Sequence, residues 1–159
     1  MEEVVKKLKE KLKTIATMES CTGGGVANAI TNVEGASEVF KFGAVTYSNE
    51  YKIKMGVNPE IINKYSVYSM ETAKEMSRNI AKFTNANIGV GITGKINRED
   101  VNNKYGDNNK IFISIYENEK NKYLNFEIKA NKNFDRVKNK EIVITQIANN
   151  IIKVLEEID

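Results

Sequence analysis

Met18-Glu19-Ser20-Cys21-Thr22-Gly23-Gly24-Gly25 decides the reading of this chain, with Thr14-Ile15-Ala16-Thr17-Met18 leading into it and Val26-Ala27-Asn28-Ala29-Ile30 leading out. Residues 14–18 have the length and apolar content of a buried strand. Residues 26–30 carry apolar side chains at helical spacing. A strand, a turn of small hydroxyl residues and glycines, and then a helix bring backbone N–H groups to a helix N-terminus. First-turn amides have no intrahelical partner and the helix dipole adds positive potential, so such a turn suits an anion or a developing oxyanion. The plain alternative is a capping Ser or Thr in a glycine-rich βα turn. No Walker or dinucleotide fingerprint accompanies it.

Outward from this turn, Glu2 to Leu12 reads as a Lys/Glu-rich amphipathic helix with Val5, Leu8 and Leu12 on one face. The helix after the turn breaks at Asn32-Val33-Glu34-Gly35-Ala36-Ser37. Val39 to Ser48 is β-branched and aromatic and predicts a strand, followed by a short helical turn that Gly56 closes after Met55. Pro59, the only proline, suits the first turn of a short helix over Glu60 to Tyr65. Ser69 precedes a strong helix from Met70 to Phe83, and Ile88 to Thr93 predicts a central strand interrupted by Gly89 and Gly91. Lys95 to Lys110 is a polar, Asn-rich loop of a length associated with function or mobility. Ile111–Tyr116 and Tyr123–Lys129 form a hairpin. Val137 to Ile158 is the last helix, with Ile142, Ile144, Ile147, Ile151 and Leu155 as its apolar positions.

This order predicts one α/β domain over residues 1–159: a three-layer α/β/α sandwich whose mixed, mostly parallel sheet ends in an antiparallel hairpin. Ligands of open α/β sheets bind beyond the carboxyl ends of parallel strands. Here those ends are Ser20, the Tyr47–Lys52 segment and Thr93.

Composition narrows the chemistry. The net charge of +3 comes from Lys spread among Glu, not from one basic block, so no nucleic-acid partner is expected. No apolar run approaches the ~18 residues of a membrane span, so neither a membrane nor a signal peptide is implied. A single cysteine, Cys21, excludes an internal disulfide and fits a cytoplasmic setting. Cys21 has no evident activating group and reads as a small buried residue. The absence of histidine removes Ser-His-Asp and Cys-His catalysis and the commonest transition-metal ligand. No metal or cofactor is implied. A nucleophilic Ser20 therefore needs a Lys, Tyr or carboxylate base. Lys52 serves only if burial or a cationic neighbour keeps its amine neutral near pH 7. Tyr47 stands at the end of the same strand, and the N–H groups of Thr22, Gly23 and Gly24 are candidate oxyanion donors. The bland alternatives are a solvated Lys52, a core-edge Tyr47, a strand-end cap at Thr93 and a surface ion pair at Arg136.

Glu19-Ser20-Cys21-Thr22-Gly23-Gly24, then Val45-Thr46-Tyr47-Ser48-Asn49-Glu50-Tyr51-Lys52 and Met55-Gly56-Val57, resemble the CinA C-terminal domain family over essentially the whole chain. The resemblance implies an amidohydrolase converting nicotinamide mononucleotide to nicotinate mononucleotide and ammonia. Ser20 matches the nucleophile, Lys52 the general base and Tyr47 the tyrosine that supports them. Gly91-Ile92-Thr93-Gly94 matches a substrate-contacting segment, which assigns Thr93 and Gly94 to substrate. Asp135-Arg136 resembles the Gly-Asp-Arg segment, which puts Arg136 on the substrate phosphate. The partner implied is a small nucleotide substrate, and the family tendency is a homo-oligomer. The chain departs from the family at its Asn-rich 95–110 loop, which replaces a glycine-rich one, and at Phe134, which stands where a glycine is usual. A nucleotide-binding module without turnover, or an amidase for another small amide, are the alternative readings.

Overall fold

Strands with no polar face to spare belong in the middle of a sheet, and two segments of this chain meet that description. β1 (Ile15–Glu19) and β3 (Ile88–Gly94) are buried along their whole length in the computed structural model, which describes residues 1–158. They pair in parallel with each other, and β1 also pairs in parallel with β2 (Phe40–Val45) at the edge. β4 (Lys110–Glu117) runs antiparallel to β3 and to β5 (Lys122–Lys129), giving the order β2-β1-β3-β4-β5. Four strands thus share one direction and β4 alone opposes them.

Helices cover both faces. On one, α1 (Glu2–Glu10), α2 (Gly25–Thr31) and α6 (Arg136–Glu156) place Val5, Leu8, Val26, Ile30, Ile147 and Ile151 against Ile88, Val90 and Ile92. On the other, α5 (Met70–Thr84) brings Met76 and Ile80 onto Ala16 and Met18. Alternation along β3 turns Gly89 and Gly91 toward α5. A Cβ at Gly89 would lie 2.0 Å from the Ser77 carbonyl oxygen, and one at Gly91 2.3 Å from that of Ala73. The helix therefore rests on bare strand backbone, which is why glycines interrupt this central strand. Two short helices, α3 (Asn49–Lys54) and α4 (Pro59–Tyr65), fill the β2–α5 connection, capped by Ser48 and Asn58. The expected three-layer sandwich and closing hairpin are present.

Three expectations need correction. Leu12 does not sit on the apolar face of α1; it is 90 % exposed, with φ 54°, and Val4 takes the buried position instead. The amide of Leu12 donates to Lys9 O and that of Lys13 to Leu8 O, so Leu12 is the left-handed residue of a Schellman stop. Strand β2 ends at Val45, not Ser48, because Thr46 leaves the ladder after one further bond to Glu19 O. In α6 the buried face is Val143, Ile147, Ala148, Ile151, Val154 and Leu155, with Ile142 and Ile144 only half-buried. Three consecutive apolar residues left the face ambiguous, and contact with α1, α2 and the sheet selects Val143.

Candidate active site

The parallel pairing of β1 with both neighbours brings three strand ends together. Ser20 follows β1 directly. From the end of β2, the chain turns through Ser48, whose hydroxyl accepts the Tyr51 amide at 3.3 Å and starts α3. Four residues into α3, Lys52 points back under the strand ends and is 1 % exposed. Its Nζ donates to Ser20 Oγ at 3.1 Å and to the Thr46 carbonyl at 2.7 Å. The early departure of Thr46 from the ladder is what frees that carbonyl.

Burial disfavours the charged amine and lowers the Lys52 pKa from 10.5 to about 8, against the opposing pull of Cys21 and Asp100. A useful fraction of neutral amine therefore exists near pH 7, within hydrogen-bond reach of a serine hydroxyl. Burial works the other way on Cys21, pushing its thiol up to about 12, so it is a protonated, buried neighbour.

The turn after Ser20 is organised by Glu19, whose part the sequence reading missed. Its buried carboxylate accepts Thr22 Oγ1–H at 2.6 Å and the amides of Val26 and Ala27 at 2.9 Å each. The first-turn amides of α2, expected to face a ligand anion, are occupied by the chain's own carboxylate. Within the turn, the Gly23 amide donates to the Ser20 carbonyl at 2.9 Å. Gly24, at φ 90°, gives the left-handed step into α2 without a Cβ penalty.

A cavity of about 640 Å³ opens over these strand ends, with Ser20, Tyr47, Gly94 and Arg136 in its wall. Thr22, Gly23, Gly24 and Thr93 do not line it: Thr22 and Thr93 are buried, Gly24 is half-buried and Gly23 is exposed. The Thr93 hydroxyl donates to the Val67 carbonyl at 2.9 Å and ties β3 to the segment before α5. Tyr47 stands at the cavity mouth, 67 % exposed, with no hydrogen bond to Ser20 or Lys52 among the described residues. Arg136 reaches in from the first turn of α6 and donates Nη1–H to the Ile96 carbonyl at 3.0 Å. Its helix start is held by Asp135, which caps Lys138 N, and by buried Asn139, which bonds the 131–135 segment at both its amide and carbonyl sides.

The Asn-rich loop supplies the remaining wall. Asp100 accepts the Tyr68 hydroxyl, the Asn102 amide and the Asn103 side chain, and Asn103 Oδ1 accepts Asn49 Nδ2–H at 2.9 Å. This chain of bonds straps the loop to the start of α3, over the cavity. Tyr68, Lys95 and Asp100 are site residues that the sequence reading did not single out. Only the placement of Lys95 immediately after the strand end at Gly94 hinted at one of them.

Residues 1–155 match the CinA C-terminal domain family. The chain belongs to that family. Competence-damage inducible proteins are similar to it in sequence: 52 % identity over 96 residues for one from Thermoanaerobacter sp. (strain X514) and 53 % over 96 residues for one from Clostridium beijerinckii. The aligned stretch is 59 % of this chain and 23 % of each relative, so the chain spans about a quarter of the length of the curated relatives it matches. In structure, a CinA superfamily protein from Klebsiella pneumoniae superposes with a TM-score of 0.88 at 20 % identity, covering 98 % of this chain and 95 % of that one. The competence/damage inducible protein CihA from Agrobacterium tumefaciens gives 0.82 at 25 % identity, covering 98 % and 94 %. The CinA fold thus extends over 98 % of the chain, well beyond the 59 % that the sequence alignments cover. No described helix is long and apolar enough to cross a membrane, and no group of three or more acidic or Cys residues among the described ones could hold a metal ion.

Proposed function

We propose that this CinA domain is a Ser/Lys amidohydrolase that deamidates nicotinamide mononucleotide to nicotinate mononucleotide and ammonia. The observation that carries the reading is the buried Lys52 amine, with its lowered pKa, 3.1 Å from Ser20 Oγ. Neutral Lys52 takes the Ser20 proton as Oγ bonds to the carboxamide carbon, and the carbonyl electron pair moves onto oxygen. Amides of the turn hold that oxyanion; with Gly23 bound to the Ser20 carbonyl, this role falls to Thr22 and Gly24. The C–N bond then breaks and Lys52 returns the proton to the leaving nitrogen, releasing ammonia. Water attacks the resulting ester with Lys52 again as base, and Ser20 leaves with its proton. Arg136 takes the nucleotide phosphate and Gly94 meets the substrate with its backbone, the place of its missing side chain being filled by Ile111 and the Lys110 carbonyl. Tyr47 closes on the substrate from the mouth, and Thr93 acts by fixing the strand end. The reading includes a homo-oligomer and no membrane or nucleic-acid partner.

Ammonia release from nicotinamide mononucleotide by the purified protein tests it. Ser20→Ala and Lys52→Ala each lower the rate by at least about 10²-fold. Activity that survives both substitutions overturns the mechanism, and calorimetric binding of the nucleotide with no turnover leaves only a binding module.

A further inference from the structure

The cavity has a second cationic wall that the deamidation chemistry does not use. Lys95 leaves β3 on the α5 side, is 3 % exposed, and lines the cavity with its Nζ 4.8 Å above the Tyr68 ring. Its hydrogen bond is to a neutral acceptor, Asn108 Oδ1, at a long 3.3 Å, and it has no ion pair among the described residues. The nearby carboxylate that would be its natural partner, Asp100, already receives Tyr68, Asn103 and the Asn102 amide. Glu99 also lines the cavity but is exposed and outside any ion pair of the described residues. Burying an ammonium without a carboxylate is costly, and an aromatic face offsets only part of that cost. Such a group is completed by an anion that comes and goes. Arg136 stands on the α6 wall, likewise without a carboxylate partner among the described residues, and Arg98, exposed on the loop, lines the same cavity.

We propose that Lys95 is an anion-binding residue of this cavity, so that the preferred ligand carries two phosphoryl groups, one at Arg136 and a second at Lys95. The inference rests on the amidase reading for the carboxamide end and extends it. Nicotinamide mononucleotide is then the smaller member of the substrate class, and the preferred member is a carboxamide nucleotide with a diphosphate or a second phosphate. The Tyr68 ring holds the lysine stem and orients the ammonium, and the Asn-rich loop supplies Asn108 and Arg98 around the same anion.

The test is calorimetric binding of inorganic phosphate and pyrophosphate to the full chain, with Lys95→Met and Lys95→Arg beside wild type. Wild type binds pyrophosphate at least tenfold more tightly than phosphate. Lys95→Met, which keeps the stem against Tyr68, lowers that preference about tenfold or more, the scale of one lost charge-assisted hydrogen bond, and Lys95→Arg retains it. Equal affinity for the two anions in wild type, or an unchanged preference in Lys95→Met, overturns the proposal. Ammonia assays with a pyridine mononucleotide and dinucleotide separate this inference from the reading beneath it. Ser20-dependent release without pyrophosphate preference sinks the second subsite alone, and pyrophosphate preference without release from either nucleotide sinks the amidase alone.

Discussion

Lys52 donates to the Ser20 hydroxyl and to the Thr46 carbonyl at once, joining the ends of β1 and β2 through one buried amine. The carbonyl fixes where Nζ sits, and the serine is the only one of the two partners able to exchange a proton with it. Burial then sets the energetics: a solvated lysine would be protonated almost entirely at neutral pH, while this one is held near the pH where both forms coexist. Position comes from the backbone and protonation from the packing around it.

The pH–rate profile should follow the amine. Ammonia release rises with pH as Lys52 loses its proton and levels off above about 8, the pKa that burial imposes. Lys52→Arg preserves charge and length but cannot deprotonate, so its rate falls at least about 10²-fold at every pH. A flat wild-type profile between pH 6 and 9, or an active Arg variant, contradicts a lysine base.

The same shift sets a stability signature. A lysine whose folded pKa lies below its unfolded value opposes folding fully below pH 8. Between about 8 and 10.5 the unfolded chain binds the extra proton, so stability rises with pH across that window. Urea unfolding of wild type and Lys52→Met at pH 7 and pH 9 isolates the effect, since other groups cancel in the difference. Wild type should gain about 1 kcal/mol more than the variant between the two pH values.

Patterns confined to a few neighbouring residues were legible, and those set by distant ones were not. The Ser20 turn, the alternation of elements and the return of Lys52 toward Ser20 follow from local runs and parallel pairing. The face of α6 was misjudged because Ile142, Val143 and Ile144 are all apolar, and only packing partners choose among them. Leu12 misled because periodicity counts an apolar residue as buried, whereas two capping bonds place it in solvent. Thr93 reads in the sequence as a ligand-facing group at a strand end, and Glu19 as no more than part of a motif. Their side chains satisfy the α2 amides and the Val67 carbonyl, demands that appear only once the chain is folded.

Glu19 should therefore be read out as stability first. Glu19→Ala leaves the Val26 and Ala27 amides and the Thr22 hydroxyl without an acceptor in a buried turn. The loss is expected at about 3 kcal/mol or more, from two amides and a hydroxyl each lacking a partner. Glu19→Gln, keeping one carbonyl acceptor, should lose less. Equal urea midpoints for the three proteins would contradict the capping role.

Leu12 offers the opposite change. A β-carbon in the left-handed conformation at the end of α1 costs about 1 kcal/mol relative to glycine, and its side chain gains nothing in solvent. Leu12→Gly should raise the unfolding midpoint while leaving ammonia release unchanged, since α1 is remote from the cavity wall. A lower midpoint would show that Leu12 is covered in the protein's working state.

Asp100 couples the loop to the base. Its carboxylate raises the Lys52 pKa, opposing the burial that lowers it. Asp100→Asn removes the charge and keeps one of the two accepting oxygens: Tyr68 and Asn103 donate to Oδ2 and the Asn102 amide to Oδ1, so an asparagine turned with its oxygen toward Tyr68 keeps the strap to Asn103 and Asn49 and gives up the Asn102 bond. With the charge gone, the neutral amine of Lys52 is favoured, and the rise of the pH–rate profile should move to lower pH. Tyr68→Phe is the control that removes the Tyr68 bond to the loop and leaves the charge: it should raise KM as the loop loosens, without moving the profile downward. A profile unmoved by Asp100→Asn, with substrate affinity intact, would mean that the loop serves only as a wall and that the Lys52 amine is set by the buried strand ends alone.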